Sequence, residues 1–560
     1  MKRVKTWFSL GFALVLEALS VAAVFFTQTS GVAHYLVLGG VLVQGLAVYS
    51  WKKDRRTAFT ISAIALSSMI WFFYLAYSAL SLWPKVFGCL GVLVATGFAF
   101  HKITGMDSFY GFLMVRSLAG FDVMKAVAKN HPRFSRWITD FGATMTFGVP
   151  WGWVTFGPRR ALEHALLLAF FLGVLAFTPF FAAFRASFEV VAAVTLLFGF
   201  IGFGLLSLLS SAYNVLTVPN APPGVQLLIP GVTLPWESVF AIAVIAIVHE
   251  VAHGVLAYVE KLELKSSGVV LFGFLPVGAF VEPDEEKLDK LALEKKRRIL
   301  VAGSTSNTLF FVLFFVLALG VSLLIAPLTA GVQAGVIPDN STLSGVLAVG
   351  SVLVSLDGRP VALAQDVYAS ANATHNPEMV FDDGGRVVSV SLMEVVITSV
   401  NPDYPALGVL AEGDRIVSVD GRPVRLLSDA TVAIAGRKQG ETVVVQTQRG
   451  SRLVTLGEDD RIGVMLGLAP AVLVENIPKP GFEWAYGAAA FLVVVLSLTY
   501  ILNFLIAVVN VLPLFITDGQ KMLYYELEAW LGKPTAVRLS VAAGMAVLAI
   551  VLVNASPFFF

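Results

Sequence analysis

Residues 241–260 read AIAVIAIVHEVAHGVLAYVE and place His249, Glu250 and His253 inside an apolar run. The run is long enough for a helix that crosses a bilayer, which needs about 20 mostly apolar residues. At i and i+4 the two histidines share one helical face, about 6 Å apart along the axis, so both imidazoles can hold one ion. An ionised side chain in a membrane span costs at least about 2.5–3.5 kcal/mol, so we expect this trio to be functional.

The residue types in this trio indicate zinc. Imidazole and carboxylate ligands suit tetrahedral Zn²⁺, and a catalytic zinc site keeps one position open for water. The chain has a single cysteine, Cys89, which excludes an internal disulfide and a thiolate-rich site. Glu250 can take a proton from water that attacks a carbonyl without being a ligand itself. The pattern therefore predicts a zinc-dependent hydrolase.

A zinc site of this kind needs a third protein ligand, and Asp518 is the main candidate. It follows an apolar stretch in which Pro513 is expected to interrupt or kink the helix, so the carboxylate can turn into the protein interior. Taken alone, Asp518 can equally be a helix-terminal residue at the membrane edge. In some membrane metalloproteases a glutamate downstream of HExxH is the third ligand. Glu282 would then take the place of Asp518, and it is called the rival ligand below.

Apolar runs recur along the chain. Its 560 residues are 57% hydrophobic and 14% charged, whereas about 25% of the residues in soluble domains are charged. The formal net charge of +1 offers no bulk attraction to nucleic acid. We predict a polytopic α-helical membrane protein whose partner is the lipid bilayer and which binds no nucleic acid. Its predicted spans lie near residues 7–27, 32–50, 57–82, 85–101, 161–183, 187–211, 237–259, 299–327, 484–513 and 534–553.

The basic residues predict the orientation, because short cytoplasmic loops carry an excess of Lys and Arg. Basic clusters near the N-terminus, at 52–56 and at 102–136 place the N-terminus and these loops in the cytoplasm. The segment 213–236 has no basic residue, so the span with HExxH should run inward. Parity then requires one more crossing, best placed at 141–156, for about 10–11 spans. The highly charged segment 284–298 is expected to be a solvated helix whose basic end meets anionic headgroups.

A block of about 150 residues between the spans near 327 and 484 has strand-like alternation and Asp-Gly turns. Within it, residues 345–363 align without a gap on 408–426, with 13 of 19 positions identical, so two copies of one α/β module are expected. The stretch NPDYPALGVLAEGDRIVSVDGRPV, 401–424, resembles the PDZ-domain signature, and such domains bind extended peptides or peptide termini at a sheet edge. The first copy has Ser351 where the second has Asp414. A plain spacer domain remains the alternative.

Together the motifs resemble those of the site-2 protease family of intramembrane zinc metalloproteases, over about residues 213–553. The family's HExxH falls on 249–253, and its N-x-x-P-x-x-x-x-D-G motif falls on 510–519. Gly303 and Asn307 match its G-x-x-x-N element. The segment 268–285 resembles its hairpin, which dips into the membrane and can pair with an unwound substrate.

The resemblance implies Zn²⁺ held by His249, His253 and Asp518, with Glu250 as general base. It further implies that Asn307 and Asn510 bind the substrate backbone or polarise the scissile carbonyl. The implied substrates are single-span membrane proteins, cut within or next to their transmembrane segments. A membrane sensor or transporter that uses PDZ-type recognition and a purely structural metal is the non-enzymatic alternative.

The expected domain organisation has five parts in an integral, multi-pass membrane protein with a cytoplasmic N-terminus and extracytoplasmic PDZ-like modules. No role can be derived for the first part. The parts are N-terminal spans (1–102), a cytoplasmic loop with further spans (103–212), the first half of the protease core (213–327), two PDZ-like modules (328–475, divided into about 328–392 and 393–475) and the second half of the core (476–560).

Overall fold

The computed structural model describes residues 55–77, 82–118, 120–178, 188–218, 221–226, 228, 233–235, 237–370, 375–401, 403–457 and 460–558. The chain forms two compact units, Met1–Ala318 with Val494–Phe560, and Leu319–Val493. The spans predicted at 7–27 and 32–50 lie outside the described residues.

Helices and strands are numbered here in chain order. The helices are α1 (Arg55–Tyr77), α2 (Leu82–Thr104), α3 (Phe121–Asn130), α4 (Pro132–Phe147), α5 (Val149–Phe156), α6 (Pro158–Phe177), α7 (Phe188–Thr217), α8 (Ser238–Val259), α9 (Glu285–Asp289), α10 (Leu293–Ser322), α11 (Ile325–Leu328), α12 (Ala364–Ser370), α13 (Leu427–Ile434), α14 (Glu483–Val511), α15 (Asp518–Leu531) and α16 (Lys533–Ala555). The strands are β1 (Ser108–Phe109), β2 (Phe112–Ser117), β3 (Leu264–Phe272), β4 (Leu275–Pro283), β5 (Thr329–Val336), β6 (Val352–Leu356), β7 (Glu378–Asp383), β8 (Arg386–Ser391), β9 (Met393–Val400), β10 (Arg415–Val419), β11 (Arg422–Pro423), β12 (Thr442–Thr447), β13 (Gly450–Thr455), β14 (Val464–Pro470) and β15 (Leu473–Pro478).

Seven helices in the described part of the chain are long and apolar enough to cross a membrane: α2, α6, α7, α8, α10, α14 and α16. They coincide with the predicted spans from 85–101 onward, so the prediction of a multi-pass helical membrane protein is confirmed. Helix α1 covers most of the span predicted at 57–82, although its apolar part Ala63–Phe72 is shorter than a crossing.

The extra crossing predicted at 141–156 is wrong. The chain there forms α4 and α5, of 16 and 8 residues, which are separated at Gly148. Gly148 has φ +95° and packs against the kink of α7, where Gly199 has φ +67°. A Cβ on either glycine would collide with backbone atoms of the opposite segment. The two glycines thus allow the backbones of the two segments to touch. The apolar residues of 141–156 belong to two short helices that pack against other helices, and they do not form one membrane-spanning helix.

Aromatic side chains form the core of the first unit. Phe171 of α6, Phe200 of α7, Phe311 of α10 and Phe504 of α14 are buried together, and the Phe171 and Phe311 ring centroids lie 5.3 Å apart. Such ring pairs add specific edge-to-face contacts to the hydrophobic gain. This core therefore fixes α10 against α14.

A four-stranded antiparallel sheet, in the order β1-β2-β3-β4, belongs to the same unit. Strands β3 and β4 form the hairpin expected at 268–285, which begins earlier, at Leu264. Strand β2 comes from much earlier in the chain and pairs with β3 from Phe112↔Phe272 to Ser117↔Ser267. Because β2 occupies the other side of β3, β4 is left as an edge strand.

The basic end of the segment 284–298 does not face headgroups. Lys296, Arg297 and Arg298 lie in the first turns of α10 and are each 8% exposed. Their partners are aromatic rings and carboxylates of the same unit. The expected contact with anionic lipid is therefore wrong for these three residues, because protein groups already surround them.

The second unit contains a five-stranded and a six-stranded sheet, and five strands of each share one topology. The first has the order β15-β5-β6-β7-β8, and the second has the order β14-β9-β10-β12-β13, with the short β11 paired to β10. The whole second module lies between β8 and β15 in the chain, so it is inserted into the first. The module boundary expected at residue 475 falls inside β15, a strand of the first module.

The sequence repeat is also a backbone repeat. Asp357 and Asp420 have φ +47° and +49°, and the glycine after each has φ +75° and +77°. In both copies the turn aspartate accepts a backbone N–H from the strand that follows, at 2.8 Å, from Glu378 in the first copy and Val444 in the second. The same side chain thus holds the same turn in both modules.

Candidate metal centre

Helix α8 presents both histidines on one face, as the spacing predicts. His249 Nε2 and His253 Nε2 lie 3.2 Å apart. Both side chains are largely buried, at 12% and 14% exposed. Two ring nitrogens at this distance aim at a common point.

The third acidic group arrives from the start of α15. Helix α14 ends at Val511, and the chain turns through Pro513 before α15 begins at Asp518. Asp518 Oδ2 lies 3.0 Å from His253 Nε2 and 3.5 Å from His249 Nε2. The glycine that follows is required, because a Cβ on Gly519 would collide with the Val511 carbonyl oxygen. The proline and glycine of this motif thus bring the carboxylate to the histidines.

The donor atoms fit a zinc-sized ion. Zinc bonds of about 2.0–2.1 Å in a tetrahedron separate neighbouring ligand atoms by about 3.3–3.4 Å. The three separations are 3.2, 3.0 and 3.5 Å. In the described residues His249, His253 and Asp518 form the group of potential ligands. Three protein ligands are the number that a catalytic zinc site uses.

Glu282, the rival ligand, is engaged elsewhere. Its carboxylate accepts a hydrogen bond from Ser266 Oγ at 2.5 Å and pairs with Arg116 Nε at 3.1 Å. The Ser266 hydrogen bond and the Arg116 guanidinium hold the pKa of Glu282 below its ordinary value. Glu282 therefore stabilises the sheet from β2 to β4 and is not brought to the histidines.

Each imidazole is held through its other ring nitrogen. His253 Nδ1 lies 2.7 Å from the carbonyl oxygen of Ile299, which can only accept, so Nδ1 donates the hydrogen and Nε2 is the nitrogen that faces the site. His249 Nδ1 lies 3.1 Å from the Asn307 amide, whose oxygen is buried without a partner. Turning that amide by 180° lets its oxygen accept the Nδ1 hydrogen. Both rings are then oriented as metal ligands require.

Gly303 of α10 lies directly against the two imidazoles. A Cβ at this position would collide with His249 and would approach His253 Nε2 to 2.5 Å. Only glycine therefore allows α10 to approach α8 closely enough to place Asn307 and Ile299 on the rings.

Asn510 lies beside the candidate ligand atoms, and Glu250 lies beside strand β4. Asn510 Nδ2 donates to Asp518 Oδ2 at 2.7 Å and lies 3.1 Å from His249 Nε2. Glu250 Oε2 accepts the backbone N–H of Val281 at 2.8 Å, so the carboxylate lies beside the edge strand β4. Neither backbone partner, Ile299 or Val281, has a side-chain signature that sequence analysis could have detected.

Comparison with known proteins places this sequence in a family. Residues 237–554 match Peptidase family M50. An uncharacterised protein of Methanocaldococcus jannaschii is 34% identical over 114 residues, which make up 20% of this chain and 31% of that relative. The chain thus aligns with about a third of the length of this curated relative. The resemblance inferred from the motifs is confirmed, and the chain belongs to peptidase family M50, the site-2 protease family of membrane metallopeptidases.

Proposed function

We propose that this protein is a zinc-dependent endopeptidase that hydrolyses peptide bonds within or next to the transmembrane segments of single-span membrane proteins. The observation that carries this proposal is the convergence of His249, His253 and Asp518 in a unit built of membrane-length helices. A protease that cuts soluble proteins would not need its metal ligands on membrane-length helices.

The residues of the site divide the chemistry among themselves. His249, His253 and Asp518 would hold Zn²⁺, which when bound supplies a Lewis acid that polarises the scissile carbonyl and makes water more acidic. Glu250 takes the proton of the attacking water and delivers it to the leaving amine. The Val281 N–H keeps the Glu250 carboxylate beside the strand along which substrate would lie.

The two asparagines have different roles in this proposal. Asn307 is fully buried and contacts His249 at Nδ1, away from the ligand atom, so it orients the imidazole. The Asn510 amide lies 3.1 Å from His249 Nε2 and donates to Asp518 Oδ2, so it is on the side of the ligand atoms, where a substrate carbonyl would bind. Asn510 is therefore the better candidate for contact with substrate.

A helical substrate must unwind before it is cut, because its carbonyls are hydrogen-bonded within the helix. Among the described residues β4 ends the sheet, so its outer edge can receive an extended segment by strand addition. Strand β2 pairs with the other side of β3, so an added strand on β4 would lie next to Glu250, which binds the Val281 N–H. The sheet would thus present the extended segment to the base.

The PDZ-like modules are proposed to bind peptide termini, and the second module is the better suited. Strand β14 ends its sheet and packs beside α13. In the first module the equivalent strand β15 is covered, because Tyr368 of α12 binds the Val474 N–H at 2.9 Å and Asn476 accepts the Ala364 N–H at 2.7 Å. Added peptide should slow hydrogen exchange in 464–470 of the full chain and leave 473–478 unchanged. Protection at both strands, or at neither, would contradict this assignment.

We propose extracytoplasmic modules from the excess of Lys and Arg in 261–298 over 213–236, and a cytoplasmic N-terminus from the basic residues near it. The crossing that would make these two orientations agree is not the segment 141–156, which forms two short helices. The metal site also argues against a sensor or transporter with a structural metal, because such a protein has no use for a base beside a site with an open position. The proposed location is an integral, multi-pass membrane protein.

Cleavage of a single-span test protein by the purified chain tests the proposal. Cleavage should stop with a zinc chelator, return with added Zn²⁺, and be absent in Glu250→Gln at unchanged zinc content. Glu237→Gln is the matched control, since Glu237 precedes the same helix and its side chain caps no backbone group. Retained cleavage in Glu250→Gln, or loss of its zinc, would contradict the assignment of the base.

A further inference from the structure

Helix α4 lies outside the part of the chain matched to the family, and it contributes two charged residues next to the metal site. Arg136 and Asp140 are one turn apart on α4 and so share a face. Asp140 binds the beginning of α10 and Arg136 binds the end of α8, the two helices that carry His249, His253 and Asn307. Neither has a role in the chemistry proposed above.

Asp140 binds the start of α10. Its two oxygens accept from Arg298 Nε at 2.7 Å and Arg298 Nη2 at 2.9 Å, a bidentate pair. Asp140 is 4% exposed and Arg298 8%. A guanidinium bound through two parallel hydrogen bonds is fixed in orientation as well as in distance.

Arg136 binds the end of α8. Its Nε donates to Glu260 Oε1 at 2.8 Å, and its Nη2 donates to the Val259 carbonyl at 3.0 Å. Glu260 also lies 3.5 Å from Arg298 Nη1. One face of α4 thus ties the last turn of α8 to the first turns of α10.

The contacts of Asp140 with Arg298 lie next in the chain to a residue that binds a histidine of the site. Ile299, which follows Arg298, is the residue whose carbonyl binds His253 Nδ1. Four residues further on, Gly303 contacts both imidazoles. Close packing continues along α4, since a Cβ on Gly142 would collide with Thr305 of α10. A shift of α10 against α8 would therefore move the groups that orient the ligands.

We infer that Asp140 is a positioning residue of the metal centre: through the Arg298 fork it sets the Ile299 carbonyl and so the orientation of His253. The inference rests on the proposed metal-binding role of His249, His253 and Asp518. Partners beyond the ligands commonly change metal affinity about 10–100-fold. Because Asp140 is further removed, we expect about a three- to tenfold loss.

The test measures zinc affinity of the full chain in lipid nanodiscs by competition with a chromophoric chelator. It also records the visible spectrum of the Co²⁺-substituted protein, which reports the coordination geometry. Asp140→Asn should weaken zinc binding about three- to tenfold and alter the Co²⁺ spectrum. Glu394→Gln is the matched control, because it disrupts another buried ion pair, with Arg415 in the second unit. It should leave both readouts unchanged.

A double variant separates positioning from loss of stability. Asp140→Asn removes the buried bidentate partner of Arg298 and leaves Arg298 paired with the exposed Glu294 and with Glu260. Asp140→Asn with Arg298→Met removes both charges of the buried pair, which are costly when left unpaired. The double variant should regain thermal stability while zinc affinity stays low. Unchanged zinc affinity in Asp140→Asn, or recovery of affinity together with stability in the double variant, would overturn the inference. An unmodified protein that binds no zinc would instead refute the proposed function.

Discussion

Asp518 Oδ2 lies 3.0 Å from His253 Nε2, although the two residues belong to helices at opposite ends of the family region. The contact depends on the chain between Val511 and Asp518, where one helix stops and the next begins. A continuous helix would project the carboxylate elsewhere. The break in the helix is therefore as much a part of the site as the ligand.

Replacing Gly303 with alanine tests the contact between α10 and the ligands. The added methyl would collide with His249 and His253, so we expect zinc affinity to fall at least about tenfold, as for loss of an outer-shell partner. Measured zinc affinity and cleavage rate both report the effect.

Gly320→Ala is its control on the same helix, since nothing lies within 4 Å of a Cβ there. It should bind zinc normally, and by helix propensity it gains up to about 1 kcal/mol of stability in water. Equal zinc affinity in the two variants would show that α10 does not closely contact the metal site.

Leucine substitutions separate the two asparagines. Asn307→Leu removes the partner of His249 Nδ1 and should weaken zinc binding about 10–100-fold. Asn510→Leu removes a donor on the substrate side and should lower kcat about 100-fold or more, as for loss of one oxyanion donor. Zinc affinity and kcat are measured for both variants. A loss of zinc affinity in Asn510→Leu together with a loss of kcat alone in Asn307→Leu would show that the two roles are exchanged.

The turn at Asp357 predicts a pH dependence in the second unit. The Glu378 backbone N–H and His375 lower the pKa of Asp357. A carboxylate with a lowered folded pKa adds stability above its unfolded pKa of about 3.9 and loses it as the pH falls further. Hydrogen exchange in β7, corrected for the intrinsic rate, should show this loss below about pH 4. The Asp357→Asn variant should show a flatter profile. Parallel profiles in the two proteins would exclude the Asp357 turn as its source.

Much of this architecture could be predicted because it leaves a periodic or compositional pattern. The helix with HExxH follows from its apolar length, and the candidate metal ligands follow from the i, i+4 spacing and the Pro and Asp-Gly signals. The repeated module follows from a direct alignment of residues 345–363 on 408–426. In each case the signal is local to a short stretch of sequence.

What could not be predicted depends on backbone contacts between distant segments. Strand β2 pairs with β3, and the paired residues Ser117 and Ser267 are 150 positions apart in the sequence. No side-chain pattern in either strand predicts this pairing. The Ile299 carbonyl can be supplied by any residue type. The 141–156 segment misled because composition alone does not reveal that Gly148 ends a helix against another backbone.

The zinc content of the purified full-length chain tests the central claim most directly, measured in unmodified protein, Asp518→Ala and Glu282→Ala. We predict about one zinc per chain in unmodified protein and in Glu282→Ala, since Glu282 is bound by Ser266 and Arg116. Zinc should be lost from Asp518→Ala. An unmodified protein without zinc, or an Asp518→Ala variant that retains it while Glu282→Ala loses it, would contradict the account.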